Sequence, residues 1–183
     1  ILKSTDLDYK YEKAIEYYKE KDFTRAMPLF RELSTMMRGD KRSEEIMYYL
    51  AYCHYNAQDF NTSYYLFRNY VETYPNGSRI EECSYMSSYC LYMESPSYSL
   101  DDTYTKKAIN TFESFLEMYP VTKYRDTSEI LIKNLNNKLI RKSFENAKQY
   151  YNTENYASAI IALNNCLIDF RDSKFREETY FLI

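Results

Sequence analysis

One spacing recurs along this 183-residue chain and limits its fold more than any other feature. In EEIMYYLAYCHYNAQDFNTSYYLFRNYVETYP, residues 44–75, the apolar periodicity predicts two amphipathic helices around a tight turn. The first spans Glu44 to Tyr55, the turn is Asn56-Ala57-Gln58-Asp59, and the second spans Phe60 to Thr73. Pro75 ends it, because proline lacks the donor for the next helical hydrogen bond. Ala51 and Ser63 are small residues on facing helices, where a large side chain would hold the backbones apart, and Phe67 fills the space beside that contact. Thirty-seven residues earlier, Ala14, Asp22-Phe23, Ala26 and Phe30 repeat the pattern. Thirty-seven residues later, Glu81-Glu82 and Ser88-Tyr89-Cys90 match Glu44-Glu45 and Ala51-Tyr52-Cys53. Ala147, Asn155-Tyr156, Ala159 and Leu163 give a fourth copy, and Glu177-Glu178-Thr179-Tyr180 opens a fifth that reaches Ile183.

Small residue, aromatic and terminal proline at these distances resemble the tetratricopeptide (TPR) repeat, a helix-turn-helix unit of ~34 residues. The expected fold is therefore an all-α, right-handed superhelix of four helix pairs plus a partial fifth. It forms one solenoid over residues 1–183, with repeats at about 8–38, 44–75, 81–120, 126–170 and a partial 174–183. Residues Ile1 to Leu7 read as an extended lead-in, and Gly77, within Asn76-Gly77-Ser78, as a turn glycine tolerating positive φ. Ser88 to Ala108 is eight residues longer than Ala51 to Ser63. The extra residues fall within 94–103, where Pro96 should end one helix and Asp101-Asp102-Thr103 should cap the next. From Asp126 to Tyr151 a helix nearly twice the normal repeat length is expected, with Ile130, Leu131, Leu135, Leu139 and Phe144 as its apolar stripe.

Composition excludes several functions. A net charge of −3 argues against a nucleic-acid partner, which calls for a basic surface. No run of ~18 apolar residues is present to span a membrane. Cys53, Cys83, Cys90 and Cys166 form no C-x-x-C pair and read as small core residues, so no metal or cofactor is expected. The single histidine, His54, takes the repeat position of Tyr17 and Tyr150 and reads as a packing residue. No catalytic motif is present, and the glutamate pairs at helix starts complement helix dipoles, so no enzymatic activity is expected. The basic residues between Lys123 and Lys148, among them Arg141, Lys142 and Lys148, form either a solvated helix face or a docking patch for an acidic partner.

The informative feature is aromatic: the chain carries 23 tyrosines and no tryptophan. In a TPR array the first helix of each repeat lines the groove. Counting from Ala14, Ala51, Ser88 and Ala147, three residues back stand Tyr11, Tyr48, Tyr85 and Phe144, with Phe181 in the partial repeat. Four residues forward stand Tyr18, Tyr55, Tyr92 and Tyr151, and one forward Ile15, Tyr52, Tyr89 and Lys148. Two readings stay open. These rings floor a groove for an aromatic-rich peptide, or they fill contacts between repeats. Co-chaperone TPR domains that clamp an acidic tail use lysine and asparagine where Tyr48 and Tyr52 stand, so that class is disfavoured.

KYEKAIEYY (10–18), EEIMYYLAYCHY (44–55), EECSYMSSYC (81–90), SPSYSLDDTYTKKAI (95–109) and AKQYYNTENYASAI (147–160) together resemble the BamD family of outer-membrane assembly lipoproteins, in its Bacteroidetes form. The likeness covers the whole chain, and the Ser-Pro insertion and the long fourth helix set it apart from a generic TPR. It implies a lipid-anchored protein on the periplasmic face of the outer membrane, its lipidated cysteine lying upstream of Ile1. It further implies partnership with the POTRA domains of a BamA-like barrel, with other accessory subunits of that machinery, and with unfolded C-terminal segments of outer-membrane proteins. Under it, Tyr11, Tyr18, Tyr48, Tyr52, Tyr55, Tyr85, Tyr89 and Tyr92 would form the peptide groove. Arg141, Lys142 and Lys148 would lie on the docking half. The competing readings are another periplasmic TPR adaptor and a glycan-binding surface lipoprotein.

Overall fold

The computed structural model describes residues 6–171 and 173–183. Among them it has nine helices and no strand: α1 (Leu7–Lys19), α2 (Phe23–Met36), α3 (Ser43–Asn56), α4 (Phe60–Thr73), α5 (Ile80–Glu94), α6 (Thr103–Met118), α7 (Arg125–Asn152), α8 (Tyr156–Asp169) and α9 (Arg176–Leu182). Consecutive helices pack on one another along the chain, the arrangement of a TPR-like solenoid. Leu7, read from sequence as extended, is the first helical residue, because the Asp6 carboxylate accepts the Tyr9 N–H and starts α1 there. The rest of the expected lead-in, Ile1 to Thr5, lies outside the described residues.

Three of the turns are built the same way. Lys21, Gln58 and Glu154 take φ of 60°, 62° and 61°. The next residue, Asp22, Asp59 or Asn155, caps the following helix by accepting the N–H of Arg25, Thr62 or Ser158. In the middle turn Asp59 N–H reaches the His54 carbonyl and Gln58 N–H the Tyr55 carbonyl, the paired bonds of a Schellman stop. No glycine occupies any of these left-handed positions, so each carries steric strain. Gly77, by contrast, has no positive φ; a Cβ there would lie 3.0 Å from the Glu44 carboxylate, the Tyr70 hydroxyl and the Tyr74 carbonyl. Close approach, not turn geometry, requires that glycine.

The third turn differs because of its insertion. Asp102 stands at the N-cap of α6 without making a capping hydrogen bond, and Asp101 accepts the Thr103 N–H instead, at 2.9 Å. The Asp102 carboxylate is drawn to Lys106 and Lys142.

The buried side chains fall into three clusters. Ala14, Phe30, Leu33 and Cys53 belong to the first, among α1, α2 and α3. Ala51, Phe67, Phe112 and Leu135 belong to the second, which runs from α3 into the first half of α7. Phe144, Ala147, Leu163 and Cys166 form the third, between α7 and α8. Helix α7 thus serves two cores in turn, which accounts for its 28 residues. Ile130 is not part of its apolar stripe and is 59% exposed, whereas Leu131 and Leu135 beside it are buried. All four cysteines are buried and free. Between α3, α4 and α5 the Ser63 hydroxyl donates to the Ala51 carbonyl at 3.0 Å and receives the Cys90 thiol at 3.4 Å.

Replacing Gln58 by glycine relieves a left-handed strain worth roughly 1–2 kcal/mol, part of which the more flexible unfolded chain cancels. The melting temperature of Gln58→Gly is expected to rise by about 2 °C, and that of Gly77→Ala to fall. Thermal melts of the two variants check both signs; a fall for Gln58→Gly contradicts the strain assignment.

Candidate functional site

The rings expected in the groove divide into two sets. The first stands three residues before the small residue of each repeat. Arg42 lies 5.2 Å over the Tyr11 ring and Arg79 lies 4.1 Å over the Tyr48 ring. Tyr124 stacks on Tyr85 at 4.2 Å and 9°, and Phe175 stacks on Phe144 at 4.6 Å and 5°. Arg42, Arg79, Tyr124 and Phe175 all occupy the residue just before a first helix. Each pair spans 31 positions, except Tyr85–Tyr124, which carries the eight-residue insertion. The same clasp therefore closes all four junctions, with a cation over the ring in two and a second ring in the others. Such contacts contribute roughly 0.5–2 kcal/mol each beyond the area they bury.

Glutamate pairs complete three of the four junctions, and in the first two of them the two members divide the work. Glu44 accepts the Tyr70 hydroxyl and Glu81 the Thr122 hydroxyl, each at the far end of its own helix pair. The second glutamate reaches back to the preceding repeat. Glu45 accepts from Tyr11 at 2.6 Å, Glu82 accepts from both Tyr48 and Tyr52, and Glu178 accepts from Lys148 at 2.6 Å. Lys148 stands where Tyr52 stands, one residue after the small position, so a lysine performs at the last junction what a tyrosine performs at the second.

Burial is the main cause that lifts the Tyr11, Tyr48 and Tyr52 phenols well above the usual range, and their glutamate partners add to it. Burial also pushes Tyr18 and Tyr85 up to about 12. Tyr52 is anchored further by Phe67, 5.0 Å away, so it does not stand clear of the core packing as a free groove residue would.

The second set comprises Tyr18, Tyr55, Tyr89 and Tyr92. Tyr18 and Tyr55 each meet the first residue of the next helix, Phe23 at 5.7 Å and Phe60 at 5.6 Å. Across repeats, Tyr55 meets Tyr89 at 6.2 Å, and Tyr89 meets Tyr85 at 5.9 Å and Tyr92 at 5.8 Å. Tyr18 joins this line through Tyr49 at 4.6 Å, and Tyr48 and Tyr52 continue it. The rings thus touch in one unbroken line along α1, α3 and α5. Among the described residues no hydrogen bond joins the second set to a glutamate; Tyr55 and Tyr89 interact with each other. These four are half-buried, with ring surface left toward solvent.

The remaining candidates each have an internal partner. Arg141 lies 4.1 Å over the Tyr98 ring, Lys142 donates to the Leu100 carbonyl at 2.8 Å, and Lys148 holds Glu178. His54 is buried as a packing residue, but its counterparts differ: Tyr17 is half-buried and Tyr150 exposed. The His54 Nδ1 faces Asp59 Oδ2 at 2.8 Å and its Nε2 lies 3.4 Å from Arg31. Burial alone would raise the Asp59 carboxyl; hydrogen bonds from His54 and Thr62 outweigh it and hold the group below its usual value. Among the described residues no cluster of side chains could hold a metal ion, and no helix is long and apolar enough to cross a membrane. Sequence reasoning missed Arg42, Arg79, Tyr124, Phe175 and Tyr49. Carrying the repeat register back to the second residue before each glutamate pair would have found Arg42, Arg79 and Phe175, and the eight-residue offset of the third repeat leads on to Tyr124.

The family model described as outer membrane lipoprotein, YfiO, matches residues 4–182. No curated protein matches the chain.

The raised phenols make stability fall in alkali. Each phenol is ionised in the unfolded chain above its ordinary value of 10 but stays neutral in the fold. Its contribution is complete below pH 10 and is lost as pH rises from there toward the folded values, about 12 for Tyr18 and Tyr85. The buried thiols of Cys53 and Cys90, raised by burial to about 12 and about 11, act in the same direction. The melting temperature is therefore expected to drop steeply above pH 10. Tyr48→Phe/Tyr52→Phe should be less stable at neutral pH but show a shallower alkaline drop; an unchanged slope refutes the assignment.

Proposed function

The chain belongs to the YfiO family of outer membrane lipoproteins, and on that premise we propose that it is a non-enzymatic scaffold and substrate-binding subunit of β-barrel assembly at the periplasmic face of the outer membrane. A lipidated cysteine upstream of Ile1 anchors it there. Its first three repeats bind unfolded C-terminal segments of outer-membrane proteins. Its C-terminal half docks on the POTRA domains of a BamA-like barrel, with Arg141, Lys142 and Lys148 on that half, alongside other accessory subunits.

The observation that carries the substrate-binding part is the unbroken line of rings on α1, α3 and α5, whose Tyr18, Tyr55, Tyr89 and Tyr92 have no glutamate partner. A half-buried ring held at its edge and open on one face offers stacking area at little cost in side-chain entropy. An extended peptide with aromatic residues at alternate positions can lay them between such rings. Acidic tails are poor ligands for this surface, because Glu45 and Glu82 stand beside it.

The test is titration of a peptide copying the aromatic C-terminal strand of an outer-membrane barrel. Tyr89→Ala and Tyr92→Ala should each weaken binding by about thirtyfold, the loss typical of an aromatic hot spot of ~2 kcal/mol. Tyr65→Ala, exposed on α4, serves as the control and should bind as the wild type does. Wild-type affinity in both groove variants removes this surface from the reading.

A further inference from the structure

The insertion of the third repeat and the basic stretch of α7 meet in one place. The Lys138 ammonium donates to the Ser95 carbonyl at 3.0 Å, the Ser95 hydroxyl at 3.0 Å and the Pro96 carbonyl at 3.1 Å. Ser95 is the C-cap of α5, so the cation sits where the helix presents its unpaired carbonyls and negative dipole end. One turn along α7, Lys142 donates to the Leu100 carbonyl at 2.8 Å and lies 3.6 Å from Asp102, the residue before α6. Between them Arg141 covers Tyr98. The Ser95 hydroxyl also meets the Thr105 hydroxyl at 2.8 Å, closing the insertion on itself.

This contact falls where α7 passes from one core to the next. Leu131 and Leu135 are buried in the second cluster, with Leu139 half-buried against it, and Phe144 opens the third. No residue between 139 and 144 belongs to the buried set of either. Helix α7 carries no proline or glycine and is stiff, so it leaves the second core as a lever whose angle is set by the packing of its first half and by the contacts of residues 138–142.

We propose that residues 95–102 form a brace that fixes the angle between the first three repeats and the α7–α9 unit, with Lys138 as its pin and Arg141 and Lys142 as its side contacts. The brace replaces the hydrophobic packing that is missing across residues 140–143. It sets the position of the C-terminal unit relative to the ring-lined face, whatever that face binds. Without it the two units stay folded, each on its own core, but sample a range of angles.

The test is double electron–electron resonance on the whole chain, with nitroxides at Asn61→Cys on α4 and Asn165→Cys on α8. Both sites are exposed, and the four native thiols are buried away from the label. Lys138→Met is expected to raise the population at new inter-label distances about tenfold, the effect of losing a charge-assisted hydrogen bond. Lys133→Met, an exposed lysine on the same helix, should leave the distribution unchanged. Tyr98→Ala/Lys142→Ala removes the side contacts of the brace while keeping Lys138; it should broaden the distribution likewise if Lys138→Met fails to fold. A wild-type distribution in a folded Lys138→Met, or in the side-contact variant where Lys138→Met fails to fold, overturns the brace, as does equal broadening in Lys133→Met.

Discussion

The structure depends on one contact made four times: a ring three residues before the small position of one repeat, covered by the residue that precedes the first helix of the next. A solenoid has no central core, so its neighbours are held only by the interface each pair makes. Here that interface has a fixed address. The identity of the covering group changes from arginine to tyrosine to phenylalanine along the chain, but its place in the repeat does not. The second glutamate of each pair then ties the hydroxyl or ammonium of the preceding repeat to the new helix.

The clasp also explains the tyrosine content. A phenylalanine could stack at the junction, but it could not donate to the glutamate; a lysine could donate, but without a ring face. Tyrosine does both, so the first and second junctions use it twice over, and the surplus rings at the next turn of each helix extend the same line. One residue type serves throughout, and position separates the rings by their partners: Tyr11, Tyr48, Tyr52 and Tyr85 are covered or hydrogen-bonded across the junctions, while Tyr18, Tyr55, Tyr89 and Tyr92 contact mainly other rings.

Much of the fold was legible because the small residues, caps and prolines that define each helix pair act locally. Asp59 caps α4 and the two-residue stop before it is fixed within six residues, so the bounds of α4 follow from the sequence alone. The length of α7 was legible from the continuity of its apolar periodicity, although no side chain caps its start. What was not legible depends on contacts between distant segments. Gly77 looks like a turn residue until the Glu44 carboxylate and the Tyr70 hydroxyl are placed beside it. Lys10 is buried against Glu32 on the facing helix, a placement that helix periodicity in α1 alone does not give. The basic stretch of α7 reads as an open patch because its partners, backbone carbonyls of an insertion more than forty residues earlier, have no signature in side-chain type. Likewise, periodicity placed eight tyrosines on one face but could not divide them into those that hold the repeats and those left open.

That division is the central claim, and ring-resolved NMR of the whole chain with 13C-labelled tyrosine tests it directly. On titration with an aromatic barrel-strand peptide, the ring signals of Tyr18, Tyr55, Tyr89 and Tyr92 should shift together along one binding curve. Those of Tyr11, Tyr48 and Tyr85, covered by Arg42, Arg79 and Tyr124, should hold their positions. Shifts at the covered rings with none at the open four would contradict the account.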